Sequence, residues 1–147
     1  MKWVKHWLDH AHLISDCSPC TRAKVGCVIV DEFKNPVSMG FNGPPRDALG
    51  HLCNVDECER TKQKIKSGTH IEIGCHHAES NALMNALRKG ISVLNCSIYI
   101  TTSPCLVCAR LIHHAGIKEV YYPKSCMYDK RGTEYLKSNK IKVIVYN

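Results

Sequence analysis

Apolar residues along this chain fall into alternating helical and strand periods. Trp3, Val4, Trp7, Leu8, Ala11 and Ile14 recur at helical spacing, so residues 2–15 read as an amphipathic helix with the Trp pair in its core-facing stripe. The run VGCVIV at 25–30 is short, apolar and rich in β-branched residues, which predicts a buried strand. Polar residues 31–35 then make a turn, and 36–41 reads as the returning strand of a hairpin. Asn42-Gly43 and Pro44-Pro45 end it in a loop. From His77 onward the helical period returns through Ala78, Leu83, Ala86 and Leu87, until Gly90 ends the helix. Residues 96–101 alternate like a strand. Residues 104–115 form a helix with Pro at its start and Gly116 past its end. A strand at 118–122, a helix at 128–138 and a strand at 141–146 complete the chain. Strands alternating with helices in the second half imply an α/β fold: a partly parallel, five-stranded sheet with helices on both faces.

Residues 44–76 break this regularity. A long structureless loop is uncommon in a compact domain. Asn54 to Lys66 is expected to form a short helix capped by Asn54. The same stretch holds His51, Cys53, Cys58, His70, Cys75 and His76, and a metal clip would give it shape.

At 147 residues the chain is expected to be a single domain spanning 1–147. Its 44% hydrophobic and 22% charged content excludes a disordered chain, a collagen and a simple coiled coil. No apolar run is long enough to span a bilayer. Charged residues interrupt the amino-terminus, so no signal peptide is expected and the cytoplasm is the expected compartment. The net charge of +7 suits anionic partners, but the basic residues are scattered. Ten cysteines and nine histidines, without an export signal, favour metal binding over disulfides.

The chemistry concentrates in two places. His77-Ala-Glu79 opens one helix, and Pro104-Cys-Leu-Val-Cys108 opens another. One imidazole and two thiolates leave a fourth position on tetrahedral zinc for water. A helix amino-terminus eases ionisation of Cys105 and Cys108. Glu79, two residues from His77, is placed to shuttle protons without binding the metal. Together these form the H-x-E with P-C-x-x-C signature of zinc deaminases that act on nucleobases.

The second half thus resembles the cytidine deaminase superfamily. More narrowly, CTRAKVGCVIV (20–30), GFNG (40–43), HAESNA (77–82) and TTSPCLVC (101–108) resemble the deoxycytidylate (dCMP) deaminases, including those of phages and bacteria. The resemblance implies a three-layer α-β-α, cytidine deaminase-like fold around a central mixed five-stranded sheet. It implies a catalytic zinc on His77, Cys105 and Cys108, with Glu79 moving protons between water, ring N3 and the leaving amine as dCMP becomes dUMP. Asn42 matches the asparagine that contacts the sugar hydroxyl; its alternative is a turn residue. Arg22 is the candidate for the 5′-phosphate, with a surface arginine as the alternative. Tyr122 lies where the family places an aromatic near the nucleotide, with core packing as the alternative. A second, structural zinc is expected on Cys20, Cys53, Cys58 and Cys75, with His51, His70, His76 and Cys17 as rival ligands. The family further implies a homohexamer, activation by dCTP and inhibition by dTTP, and Mg2+ accompanying the triphosphate.

Rival readings separate on the same residues. A deaminase acting on tRNA adenosine or single-stranded DNA would use the same zinc core. However, the chain has no interleaved basic and aromatic run for stacking on a strand, so neither nucleic acid nor membrane is an expected partner. A non-enzymatic zinc module would require a closed fourth ligand instead of Glu79 beside an open position.

Overall fold

The structure is a computed structural model that describes residues 2–44, 58–66, 69, 73–127 and 129–147. Among these residues the order is α1 (Lys2–Ser15), β1 (Gly26–Val30), β2 (Pro36–Phe41), α2 (Glu59–Lys62), α3 (Ala78–Arg88), β3 (Ser97–Ile100), α4 (Leu106–His114), β4 (Glu119–Pro123), α5 (Lys130–Ser138) and β5 (Lys142–Tyr146). The strands form one sheet in the order β2-β1-β3-β4-β5. β1 pairs antiparallel with β2 and β3, whereas β3-β4 and β4-β5 are parallel. Each parallel step needs a crossover, supplied by α4 and α5. Fold class and mixed five-stranded sheet are as the sequence predicts.

The period of two explains how one sheet serves two cores. In β1, Cys27 and Ile29 face one way and Val28 and Val30 the other, and all are buried. Under the first face lie Ala82 and Leu83 of α3, Ala109 and Ile112 of α4, and Leu136 of α5. Under the second, α1 contributes Trp7, Leu8 and Ala11 against Val28, Val30, Tyr99 and Tyr121. Tyr99 and Tyr121 are register partners on β3 and β4 and stack at 4.5 Å. Glu119 knots three strands together. It accepts hydrogen bonds from Tyr121 Oη (2.7 Å), Ser97 Oγ (3.2 Å) and Lys142 Nζ (2.9 Å). Cys27 and Cys96 are core residues, as small apolar side chains should be. Gly90 and Gly116 follow the ends of α3 and α4 with φ of +64° and +76°, the left-handed stop that glycine adopts freely.

Two expectations need correction. Trp7 is 3% exposed, but Trp3 is 50% exposed and stacks on Trp7 from outside, because it lies off the buried stripe of α1. The helix expected from Asn54 begins at Glu59, after Cys58, and ends within one turn; Asn54 lies outside the described residues. No helix among the described residues is long and apolar enough to cross a membrane.

Candidate active site

Two helix starts meet beside the sheet. His77 is the N-cap of α3 and Cys105 the N-cap of α4, and both are extended in backbone. α3 is clasped to β2 by two side chains from the motif HAESNA and its continuation and by one from β2. Asn81 Nδ2 donates to Phe41 O (2.8 Å), Asn85 Nδ2 donates to Met39 O (2.8 Å), and Ser38 Oγ donates to Ala82 O (2.6 Å). The approach is so close that a Cβ on Gly40 would stand 2.4 Å from Ala82 N. Just before His77, His76 and Gly43 exchange backbone hydrogen bonds of 2.9 and 3.1 Å, fixing where α3 begins.

The result is one ligand cluster. His77 Nδ1 lies 3.5 Å from Cys105 Sγ and 3.4 Å from Cys108 Sγ. Tetrahedral zinc with ordinary Zn–N and Zn–S bonds sets such N···S pairs about 3.6 Å apart, so the donor set fits that ion. The chemistry of the thiols agrees. The Cys108 thiol, with help from His77 and the Cys108 N–H, draws Cys105 down to about 4 against the effect of burial. Cys105 in turn pushes Cys108 up, and burial adds to that. Two adjacent thiolates repel each other, and a divalent cation between them lets both ionise. Glu79 is 3% exposed beside this cluster. Burial raises its carboxyl above the usual range, and His77 only partly offsets that.

The cysteine loop is held by contacts from elsewhere in the chain. Thr102 Oγ1 (2.8 Å) and Ser103 N (3.0 Å) both donate to Cys126 O, in the 3₁₀ turn Lys124–Cys126 that follows β4. Asp129 N donates to Ser103 Oγ at 3.1 Å. α5 then comes so close that a Cβ on Gly132 would lie 2.0 Å from Pro104 O and 2.8 Å from Cys105 O. The sequence reading missed Thr102, Ser103, Asp129 and Gly132. A lone glycine inside a helical pattern was the available signal, since it usually has a packing reason.

The other sequence candidates sit around this centre. Asn42 grips its neighbouring chain: Oδ1 accepts from Val25 N (2.8 Å) and Nδ2 donates to Ala23 O (2.8 Å). These bonds use one acceptor site and one donor of an amide that offers two of each. Arg22 donates from Nη2 to Ile65 O at 2.8 Å. Tyr122 is 1% exposed, in the core with Thr133 of α5 beside its hydroxyl, which is the packing alternative. Among the described residues, His77, Cys105 and Cys108 are the only group of three or more such ligands within mutual reach. Cys20, Cys58 and Cys75 make no second group there, and Cys53, His51 and His70 lie outside the described residues. The Cys58 thiol is nevertheless unusual. Burial raises it, but the N–H groups of Thr61 and Arg60, the Thr61 hydroxyl and the Arg22 guanidinium outweigh that and hold it below its ordinary value.

A mixed sheet that brings an imidazole and two thiols to adjacent helix starts, with a buried carboxylate alongside, defines the class of zinc-dependent nucleobase deaminases. Comparison with known proteins narrows the class. A family described as the cytidine and deoxycytidylate deaminase zinc-binding region matches residues 1–124. Deoxycytidylate deaminase of Saccharomyces cerevisiae is 36% identical over 143 residues, 96% of this chain and 44% of its own length. That of Mycobacterium phage D29 is 32% identical over 128 residues, 83% of this chain and 94% of its own. The crystal structure of dCMP deaminase from the cyanophage S-TIM5, in complex with dCMP and dUMP, aligns with a TM-score of 0.77 and 27% identity. The alignment covers 97% of this chain and 95% of the cyanophage one. The chain belongs to the cytidine and deoxycytidylate deaminase family. It spans 44% of the length of the two yeast relatives, from Schizosaccharomyces pombe and S. cerevisiae.

Proposed function

We propose that this chain hydrolyses dCMP to dUMP and ammonia, supplying dUMP for thymidylate synthesis. The observation that carries the reading is the His77–Cys105–Cys108 cluster with Glu79 buried beside it, in a chain of this family. The cyanophage relative described with dCMP and dUMP supports the choice of substrate. Zinc held by the cluster would lower the pKa of a water toward neutrality. Glu79 takes the proton from the attacking water, delivers it to ring N3, and then moves a proton to the departing amine. Its burial keeps bulk water from competing for that proton. Asn42 is the proposed sugar contact, through the donor and acceptor capacity that its two backbone bonds do not use.

The proposal extends to regulation and assembly. The net charge of +7 and the family support nucleotide effectors, dCTP as activator with Mg2+ and dTTP as inhibitor, acting on a cytoplasmic homohexamer. A structural zinc on Cys20, Cys53, Cys58 and Cys75 belongs to the same proposal. The nearness of Arg22 to Cys58 supports it, because it brings the Cys20 segment toward the α2 segment. Two zinc ions per chain in the purified protein would support that site, and one would dismiss it.

The deciding experiment measures ammonia release from dCMP, dCTP, deoxycytidine, CMP and tRNA in parallel, with dCTP and dTTP also added as effectors. Turnover of dCMP above the others is the expected result. Activity on tRNA, or on nucleosides with no need for phosphate, would overturn it. Rates unchanged by dCTP and dTTP would remove the regulatory part.

A further inference from the structure

We propose that His6 and His10 on α1 form a two-imidazole site for a divalent transition-metal ion of tetragonal preference, Cu2+ or Ni2+, separate from the catalytic cluster.

The helix supplies the spacing. Residues four apart on an α-helix lie on one face, one turn apart, and two histidines so placed can hold one metal ion. His6 is exposed and His10 half-buried, so solvent reaches the pair. Their ring centroids are 4.5 Å apart. Metal–nitrogen bonds of about 2.0–2.1 Å put two bound imidazole centroids about 4.5 Å apart at a right angle and about 5.2 Å apart at the tetrahedral angle. The observed spacing matches the right angle that square-planar and octahedral ions present, and not tetrahedral zinc. α1 covers the face of the sheet opposite α3 and α4, so the pair lies across the sheet from His77.

The rings are held before any ion arrives. Trp7, in the core, meets His6 edge-on at 4.7 Å and lies 5.1 Å from His10. Trp3 also meets His6 edge-on, at 5.6 Å. Side chains ordered in advance lower the cost of binding. Asp9, one residue before His10, accepts from Lys5 Nζ at 2.6 Å, which offsets that lysine's charge. Asp9 completes no three-ligand group with the imidazoles. Water therefore takes the remaining positions on the ion. His6 lines an open cleft of about 470 Å³ with Trp3, Asp9 and Tyr146, which gives that water room. By the general order of divalent affinities, Cu2+ binds such a site most tightly.

The chain carries its own reporter. Trp3 and Trp7 are its two tryptophans, so all tryptophan emission arises beside this site. The test titrates the zinc-loaded protein with Ni2+ at neutral pH and reads that emission. Ni2+ is the probe because, unlike Cu2+, it quenches fluorescence without oxidising thiols. Wild type should quench to saturation. His6→Ala and His10→Ala should each raise the half-saturating Ni2+ concentration about 100-fold, the advantage that two linked donors hold over one. Both variants should keep the wild-type zinc content and helical circular dichroism, since alanine suits a helix surface. His12→Ala removes an imidazole that does not face His10, and should leave the curve as in wild type. Quenching that never saturates, a wild-type curve in either variant, or the same shift in His12→Ala would each overturn the site. Recovery of emission at Zn2+ concentrations equal to or below those of Ni2+ would overturn the right-angle geometry.

Discussion

Replacing Gly132 with alanine adds one methyl group at the tightest joint near the metal cluster. The new Cβ would stand 2.0 Å from Pro104 O and 2.8 Å from Cys105 O, against an ordinary contact of 3.4 Å or more. Both neighbours are backbone atoms, so no side-chain rotation relieves the overlap. α5 and the cysteine loop must part by about 1 Å or more, an overpacking that costs about 2–3 kcal/mol. On a free helix the same change would stabilise by up to about 1 kcal/mol, so the joint reverses its sign. For a domain of this size the melting temperature should fall by about 5–10 °C. A Zn–S bond of about 2.3 Å tolerates little of that displacement, so zinc affinity should drop at least about tenfold. Scanning calorimetry and competition with a coloured chelator read the two effects separately. Gly26→Ala is the comparison: its Cβ would lie 1.9 Å from Ala11 O, on the α1 side of the sheet. It should lower the melting temperature and keep the zinc affinity. An unchanged melting temperature in Gly132→Ala would refute the packing argument. A lowered one with wild-type zinc affinity would show that the joint serves stability and does not position Cys105.

Other outcomes follow from the same geometry. Glu79→Ala should retain zinc, measured by metal analysis, and lose turnover by about 10²- to 10⁴-fold; a near-normal rate would remove Glu79 from proton transfer. Cys105→Ala should lose the metal at this site, because His77 and Cys108 alone leave two of four positions open. Glu119 gives a pH test. Burial raises its carboxyl, but hydrogen bonds from Lys142, Tyr121 and Ser97 and the Lys142 charge outweigh that and hold it below 4.5. A folded-state pKa below the unfolded one stabilises the fold above the unfolded value, and that contribution disappears as pH falls through the folded value. Lys142 is largely exposed, so the effect is discounted to about 1 kcal/mol. Glu119→Gln should therefore lower the melting temperature at pH 7 and cost progressively less as pH drops below about 4.5. An equal cost at pH 7 and pH 3 would assign the effect to shape instead of charge.

Much of this molecule was legible because its signals are local. The short apolar, β-branched run at 25–30 predicts a buried strand, and β1 is one, covered on both faces. Gly90 and Gly116 mark the ends of α3 and α4 because a left-handed residue there is a property of the dipeptide neighbourhood. The ligands were legible for a chemical reason: thiols three residues apart at a helix start suit a metal whatever packs around them. What the sequence did not show depends on pairings across the sheet. Asp129 meets Ser103 across 26 positions only because β4 and α5 return beside β3. Trp3 and Trp7 share a helical period, yet only the packing of α1 decides which of them is covered. For Arg22 and Asn42 the sequence leaves a ligand contact and a plain structural place both open, and only the fold shows which backbone groups their side chains hold.

The paired backbone bonds between Gly43 and His76 also bear on how this family can diverge. They close a neck that sets Gly43 directly beside His76. His77 takes its position from that neck and from the clasp of α3 on β2. Lengthening a loop changes its closure entropy only slowly, about 0.6 kcal/mol per doubling. Insertions and deletions within 44–75 are therefore cheap and leave the imidazole where it is. Lineages can rebuild this stretch, trade its cysteines or graft a new contact surface there while inheriting the same reaction.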